Sequence, residues 1–146
     1  MASHRKEVIS KLLFERAPWD SIDHAFAKRI PFDAPAELED SFCREVTAGE
    51  MEALRISYAG EPVGIICIKV DESYLRELVI AGVFCDAPVP LSREIEAACY
   101  AAAQARRCVS IRFHTMRPAA ARLAAEEHGY RLTEVIMRKD VTLSPL

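Results

Sequence analysis

From Glu52 onward the hydrophobic period of this chain changes from that of a helix to that of a strand, and it holds for three segments separated only by short breaks. Ala53-Leu54-Arg55-Ile56-Ser57-Tyr58 alternates, Ala59-Gly60-Glu61-Pro62 supplies a turn, and Val63-Gly64-Ile65-Ile66-Cys67-Ile68-Lys69-Val70 is β-branched and apolar. After Asp71-Glu72-Ser73 the run Tyr74 to Phe84 is again rich in Leu, Val and Ile. Parallel neighbours would need crossovers of about a dozen residues or more, so connections this short predict an antiparallel meander.

The flanks have a different rhythm. His4 to Arg16 places Val8, Leu12, Ile9 and Leu13 at helical spacing with Ala17-Pro18 as the stop, which predicts an amphipathic helix. Asp20 or Ser21 can cap a second helix, through Ile22, Ala25, Phe26 and Ile30 to the breaker Pro31. A third follows Pro35, with Leu38, Phe42 and Val46 on one face and Gly49 as its C-terminal signal. Downstream, Ser92 is expected to cap a helix with Ile95, Ala98, Cys99 and Ala102 along one side, ending at Arg106-Arg107. Cys108 to Phe113 reads as a short strand, and Pro118 opens an alanine-rich helix that stops at His128-Gly129. Arg131 to Val141 reads as a last strand, with Leu132, Val135 and Met137 as core contributors. The expected class is α/β (α+β), one domain over residues 1–146, with a helical N-terminal region 1–50 and a core 51–141.

Composition narrows the function classes. With 146 residues, 51% of them hydrophobic, the chain can bury a core without disulfides or metals. Five cysteines, Cys43, Cys67, Cys85, Cys99 and Cys108, are widely spaced with no Cys-x-x-Cys pair, which fits neither a disulfide framework nor a zinc site; most are expected to be buried thiols. His4, His24, His114 and His128 are scattered, and no metal is expected. The charge is lopsided: residues 1–88 hold 16 acids and 10 bases, and 89–146 hold 6 acids and 9 bases. That basic half fits either an anionic-ligand face or solvated arginines, and no aromatic interleaving points to nucleic acid. No apolar run approaches the roughly 20 residues of a membrane helix, and the N-terminus carries no secretory pattern, so a cytoplasmic protein is expected.

The order helices, three-strand meander, helix, strand, helix, strand, with Tyr58-Ala59-Gly60-Glu61-Pro62-Val63-Gly64-Ile65 as hairpin and Glu127-His128-Gly129-Tyr130-Arg131 before the last strand, resembles the GCN5-related N-acetyltransferase (GNAT) superfamily over residues 50–141. The resemblance implies a GNAT-like fold, a mixed, mostly antiparallel sheet flanked by helices, here with an extra helical N-terminal region and without the family's opening strand. It implies an acyl-CoA-dependent N-acyltransferase acting on a small-molecule or protein amine, with acetyl-CoA or another acyl-CoA held between the meander and Cys108 to Phe113. The family's pyrophosphate turn, Arg/Gln-x-x-Gly-x-Gly/Ala, falls at about Asp86 to Ser92, which makes Val83, Cys85, Ser92 and Arg93 the implied cofactor contacts. Here that loop reads Asp86-Ala87-Pro88-Val89-Pro90-Leu91-Ser92, so two N–H donors are deleted, a carboxylate is added and no glycine is present.

For catalysis, Glu77 on the third meander strand matches a position where related enzymes keep a carboxylate as general base; otherwise it is a solvent-facing strand glutamate. His114, at a strand end, is a second candidate base or a loop histidine. The family's acidic tyrosine falls on Ala125 and its helix-start asparagine on about Pro118, while Tyr130 fits a core aromatic. A nucleophilic pair of Cys85 and His114 is a further reading, without an orienting third residue. The alternative to an enzyme is a non-catalytic GNAT-like protein that does not use CoA and serves in binding, assembly or, if phage-encoded, the virion. For that reading Phe14, Trp19, Phe26, Phe32 and Phe42 either meet a protein partner or pack on the sheet.

Overall fold

A computed structural model describes residues 2–30, 37–114, 118–134, 137 and 139–145. The chain divides into two compact units, Met1–His114 and Thr115–Leu146. Pro31, Phe32, Pro35, the loop Thr115 to Arg117 and Val135 lie outside the described residues.

The first unit is one five-stranded sheet in the order β1-β2-β3-β4-β5. Its strands are β1 (Leu12–Arg16), β2 (Glu52–Tyr58), β3 (Glu61–Asp71), β4 (Glu77–Cys85) and β5 (Ser110–Phe113). β1 to β4 run antiparallel in turn, as the meander requires, and β5 lies parallel to β4. A parallel neighbour needs a crossover, which α4 (Ser92–Ala105) supplies. The remaining helices of this unit are α1 (Ala2–Lys11), α2 (Ser21–Lys28) and α3 (Glu37–Thr47).

β3 alternates between two cores. Ile66 and Ile68 join Val8 of α1 and Cys99, Ala102 and Ala103 of α4, while Ile65 and Cys67 join Ile30 and Phe42 on the α2/α3 side. Every one of those four β3 side chains is fully buried. At about 1.5–3 kcal/mol for each fully buried aliphatic side chain, this double-sided strand anchors both layers.

One ion-pair cluster fixes α2 to the sheet. Asp20 caps α2 by accepting from the N–H groups of Ile22 and Asp23, and the Asp23 carboxylate accepts from the Asp20 N–H. Arg55 of β2 then donates through Nε to Asp23 at 2.9 Å and through a terminal nitrogen to Asp20 at 2.7 Å. The hydrogen bond from Arg55 holds the Asp20 carboxyl below the usual carboxylate range.

Three expectations are corrected. The first helix ends at Lys11, and Leu12–Arg16 is a strand paired with β2 from Leu12↔Tyr58 to Arg16↔Leu54, so the opening strand expected to be missing is present. Leu12 and Phe14 turn inward while Leu13 and Glu15 face out, a period of two that pairing along the edge of β2 enforces over the local helical spacing. Ser92 is the first residue of α4 rather than its cap; Leu91 holds the cap position without a side-chain hydrogen bond.

The third correction concerns the second unit, whose helix α5 (Pro118–His128) closes at Gly129 with φ +74°. None of the described residues from Arg131 to Val141 is in a strand, and Leu132 and Met137 are exposed. A strand exists only where another pairs with it, and the described part of this unit offers a helix alone. No helix among the described residues is long and apolar enough to cross a membrane.

The Arg55 side chain is 13% exposed and that of Asp23 is fully buried. Arg55→Ala is therefore expected to lower unfolding free energy in urea titrations by about 3–5 kcal/mol, because it leaves a buried carboxylate unpaired. Lys11→Ala, which removes a surface partner of Glu7, should cost under about 1 kcal/mol.

Candidate active site

The β4–β5 ladder is short. It runs from Glu77↔Ser110 to Ile80↔Phe113 and stops, whereas β4 continues to Cys85. At the same point the β3–β4 register shifts: Ile68 faces Ile80 and Cys67 faces Gly82, so Ala81 is an extra residue, a bulge. A bulge bends its strand and breaks the ladder locally. Beyond it, residues 82–85 pair with β3, and among the described residues no strand covers their other edge. The outer edge of β4 is thus uncovered from Ala81 onward, past the end of the β5 ladder.

This uncovered end of β4 leads into a cavity of about 550 Å³ lined by Cys85 to Ser92 and Ile95, within the general range of small-ligand sites, roughly 300–1,000 Å³. Gly64 explains how β4 reaches it. Paired with Cys85, it lets β3 approach so closely that a Cβ there would collide with the Phe84 carbonyl oxygen and lie 2.8 Å from Cys85 Cα.

Donors in the loop are few. Asp86 N–H is engaged with the Val63 carbonyl at 2.8 Å, the Ala87 N–H is hydrogen-bonded to Cys85, and Pro88 and Pro90 have none. The first intrahelical bond of α4 runs from Ile95 N–H to the Leu91 carbonyl. Leu91 provides no side-chain cap for the N–H groups of the first turn, Ser92 to Glu94, and of these three residues Ser92 lines the cavity.

At the closed end of the ladder Glu77 accepts from Ser110 Oγ at 2.6 Å and from Arg112 at 3.1 Å, and Arg112 also donates to Asp71 at 2.7 Å. Asp71 further accepts from the Ser73 hydroxyl and, at 2.8 Å, from the Ser73 N–H. These Ser73 bonds first, and Arg112 after them, hold the Asp71 carboxyl well below the usual range. The cluster ties β3, β4 and β5 together at the start of the β4–β5 ladder.

Of the residues singled out from sequence, Cys85 and Ser92 come together on the cavity wall. Val83 lies on the uncovered arm of β4 and packs against the α1/α4-side core. Arg93 is exposed in the first turn of α4 and does not line the cavity. Glu77 is four residues before Ala81, about 13 Å along the strand, with its carboxylate held by Ser110 and Arg112. His114 is exposed and directly follows Phe113, the partner of Ile80, just past the end of β5. Burial first, then the Asp86 charge, pushes the Cys85 thiol up, which argues against a ready thiolate there.

Sequence reading missed the bulge and the Asp71–Arg112–Glu77–Ser110 cluster. The pair Ala81-Gly82 inside an otherwise large-residue strand was the available signal for the bulge.

The sequence matches no family model and no curated protein. Solved structures match the fold. The aminoglycoside N-acetyltransferase AAC(6')-Iy, in complex with the bisubstrate analogue CoA-S-monomethyl-acetylneamine, aligns with a TM-score of 0.68 and 12% identity over 90% of this chain and 99% of that one. A protein from Clostridium acetobutylicum described as a predicted acetyltransferase, with acetyl-CoA, gives 0.65 and 11% over 88% and 96%. An acetyltransferase of Trypanosoma brucei gives 0.63 and 12% over 89% and 99%.

Gly64→Ala must push β4 away from β3 at the cavity's edge. It should cost about 1–3 kcal/mol in a denaturant titration, the range for forced overpacking.

Proposed function

We propose, from the premise that this chain has the GNAT acetyltransferase fold, that it is an acyl-CoA-dependent N-acyltransferase whose transfer step takes place at the β4 bulge, where the β5 ladder ends. The observation that carries this reading is the bulge at Ala81 coinciding with the end of the β5 ladder, so that open strand edge leads directly into a cavity. Acyl-CoA would supply an activated acyl group on sulfur. The uncovered backbone from Ala81 to Cys85 suits a ligand arm that hydrogen-bonds like a strand.

The residues present fit the two parts of that ligand unequally. The β4 edge fits the amide-bearing pantetheine arm. The pyrophosphate finds only the first turn of α4, Ser92 to Glu94, and the exposed Arg93, because Pro88, Pro90 and the engaged N–H groups of Asp86 and Ala87 offer nothing and Asp86 repels. We therefore assign most of the affinity to the arm.

Acylating an amine requires removal of a proton from the ammonium before nitrogen can attack carbon. In this reading His114 takes that proton: it is exposed and directly follows Phe113, the last residue of β5 paired with β4. Glu77 has its oxygens engaged by Ser110 and Arg112, and in this reading it holds the closed end of the ladder. The acceptor is an amine, either a small molecule or a protein side chain.

The same loop supports a second reading, a non-catalytic GNAT-like protein that binds or assembles with a partner without CoA. Its specific support is Asp86 with Pro88 and Pro90 on the cavity wall.

The two readings separate in thermal-shift and calorimetric titrations with acetyl-CoA and with acetyl-pantetheine. The enzyme reading expects both to stabilise the protein, by about 2.7 kcal/mol at a hundredfold excess over Kd, with Kd values within about tenfold of each other. His114→Ala should then lower acyl transfer to an amine by about 10²–10⁴-fold without weakening either ligand. No stabilisation by either ligand at millimolar concentration would leave the non-catalytic reading.

A further inference from the structure

A thiol cluster between α2 and α3 takes no part in the reading above. Cys43 of α3 is partly exposed. Its Sγ lies 3.9 Å from Nε2 of His24 in α2, and the Trp19 indole Nε1–H donates to it at 3.4 Å. The Trp19 and His24 rings are 4.9 Å apart at their centroids, so the indole braces the imidazole as well. An imidazole that can take the thiol proton and an N–H aimed at the sulfur are the two groups that stabilise a thiolate. The carboxylates on the same helix, Asp20 and Asp23, are both turned to Arg55.

The other four cysteines have different surroundings. Cys67 and Cys99 are buried, with thiols pushed up to about 12 mainly by desolvation. The Cys85 thiol is pushed up by burial and then by Asp86. Cys108 directs its S–H to the Arg106 carbonyl oxygen. Only Cys43 pairs a reachable sulfur with a base and a donor among these five.

We propose that Cys43 is a site of reversible oxidative modification by peroxides, with His24 as the activating base and Trp19 as the positioning donor. The S–H proton passes to His24 Nε2, and the thiolate attacks one oxygen of hydrogen peroxide. The S–O bond forms as the O–O bond breaks, and the departing hydroxide takes the proton back from the imidazolium and leaves as water. Sulfur is oxidised to sulfenic acid and the peroxide is reduced; a thiol such as glutathione reverses the change by way of a mixed disulfide. The adjacent Phe42 is buried in the cluster that also packs Ala81 and Phe84. This inference does not depend on CoA binding.

The test is residue-resolved labelling of the full chain, using hydrogen peroxide with a sulfenic-acid trap and, separately, iodoacetamide, read by peptide mass spectrometry. Cys43 is expected to react about tenfold or more faster than Cys85 and Cys108, and His24→Gln and Trp19→Phe should each slow it several-fold, while His128→Gln should not. Trp19→Phe keeps a ring in place and removes only the donor, so it serves if His24→Gln proves unstable. Equal labelling of Cys85 or Cys108, or an unchanged Cys43 rate in Trp19→Phe, would overturn the proposal.

Discussion

One extra residue in β4 sets the terms for the rest of the site. A parallel edge pair could have continued to the end of both strands, which would have closed the sheet and left its last backbone groups engaged. Ala81 shifts the β3–β4 register instead, at the very residue where the β5 ladder ends. The bulge needs firm neighbours to persist, and it has them. β3 is buried on both faces, Gly64 allows close approach at the arm's far end, and the Asp71–Arg112–Glu77–Ser110 cluster clamps the closed end.

Much of the scaffold was legible in the residues. Period-two runs joined by short turns leave little choice but a meander, and α4, α5 and their glycine or arginine ends follow from spacing. β1 was illegible for a physical reason: Leu12-Leu13-Phe14-Glu15-Arg16 continues the apolar spacing of α1 and also alternates, so only the edge of β2 decides between them. The C-terminal reading erred in the opposite sense. Leu132 and Met137 have the pattern of a strand, and pattern alone gives no pairing partner.

The site was readable in part. The proline loop announced itself because proline and glycine carry backbone meaning that survives without a structure, and Cys85 and Ser92 do meet on the cavity wall. The uncovered edge of β4 did not announce itself, since a bulge changes register without changing composition. Glu77 and His114 were read as alternative bases from their types, but their surroundings differ: Ser110 and Arg112 engage the first, and the second is exposed just past the end of β5. The loop and the open edge pull in different directions, one short of phosphate donors and the other suited to a strand-like ligand arm.

Amide hydrogen exchange of Ala81 to Cys85 tests that account most directly. On saturation with acetyl-CoA, the account predicts slowed exchange along this arm of β4 and in the first turn of α4, with little change at Asp86 and Ala87, whose N–H groups are already bonded. Unchanged exchange across residues 81–85 under conditions where acetyl-CoA binds would contradict it.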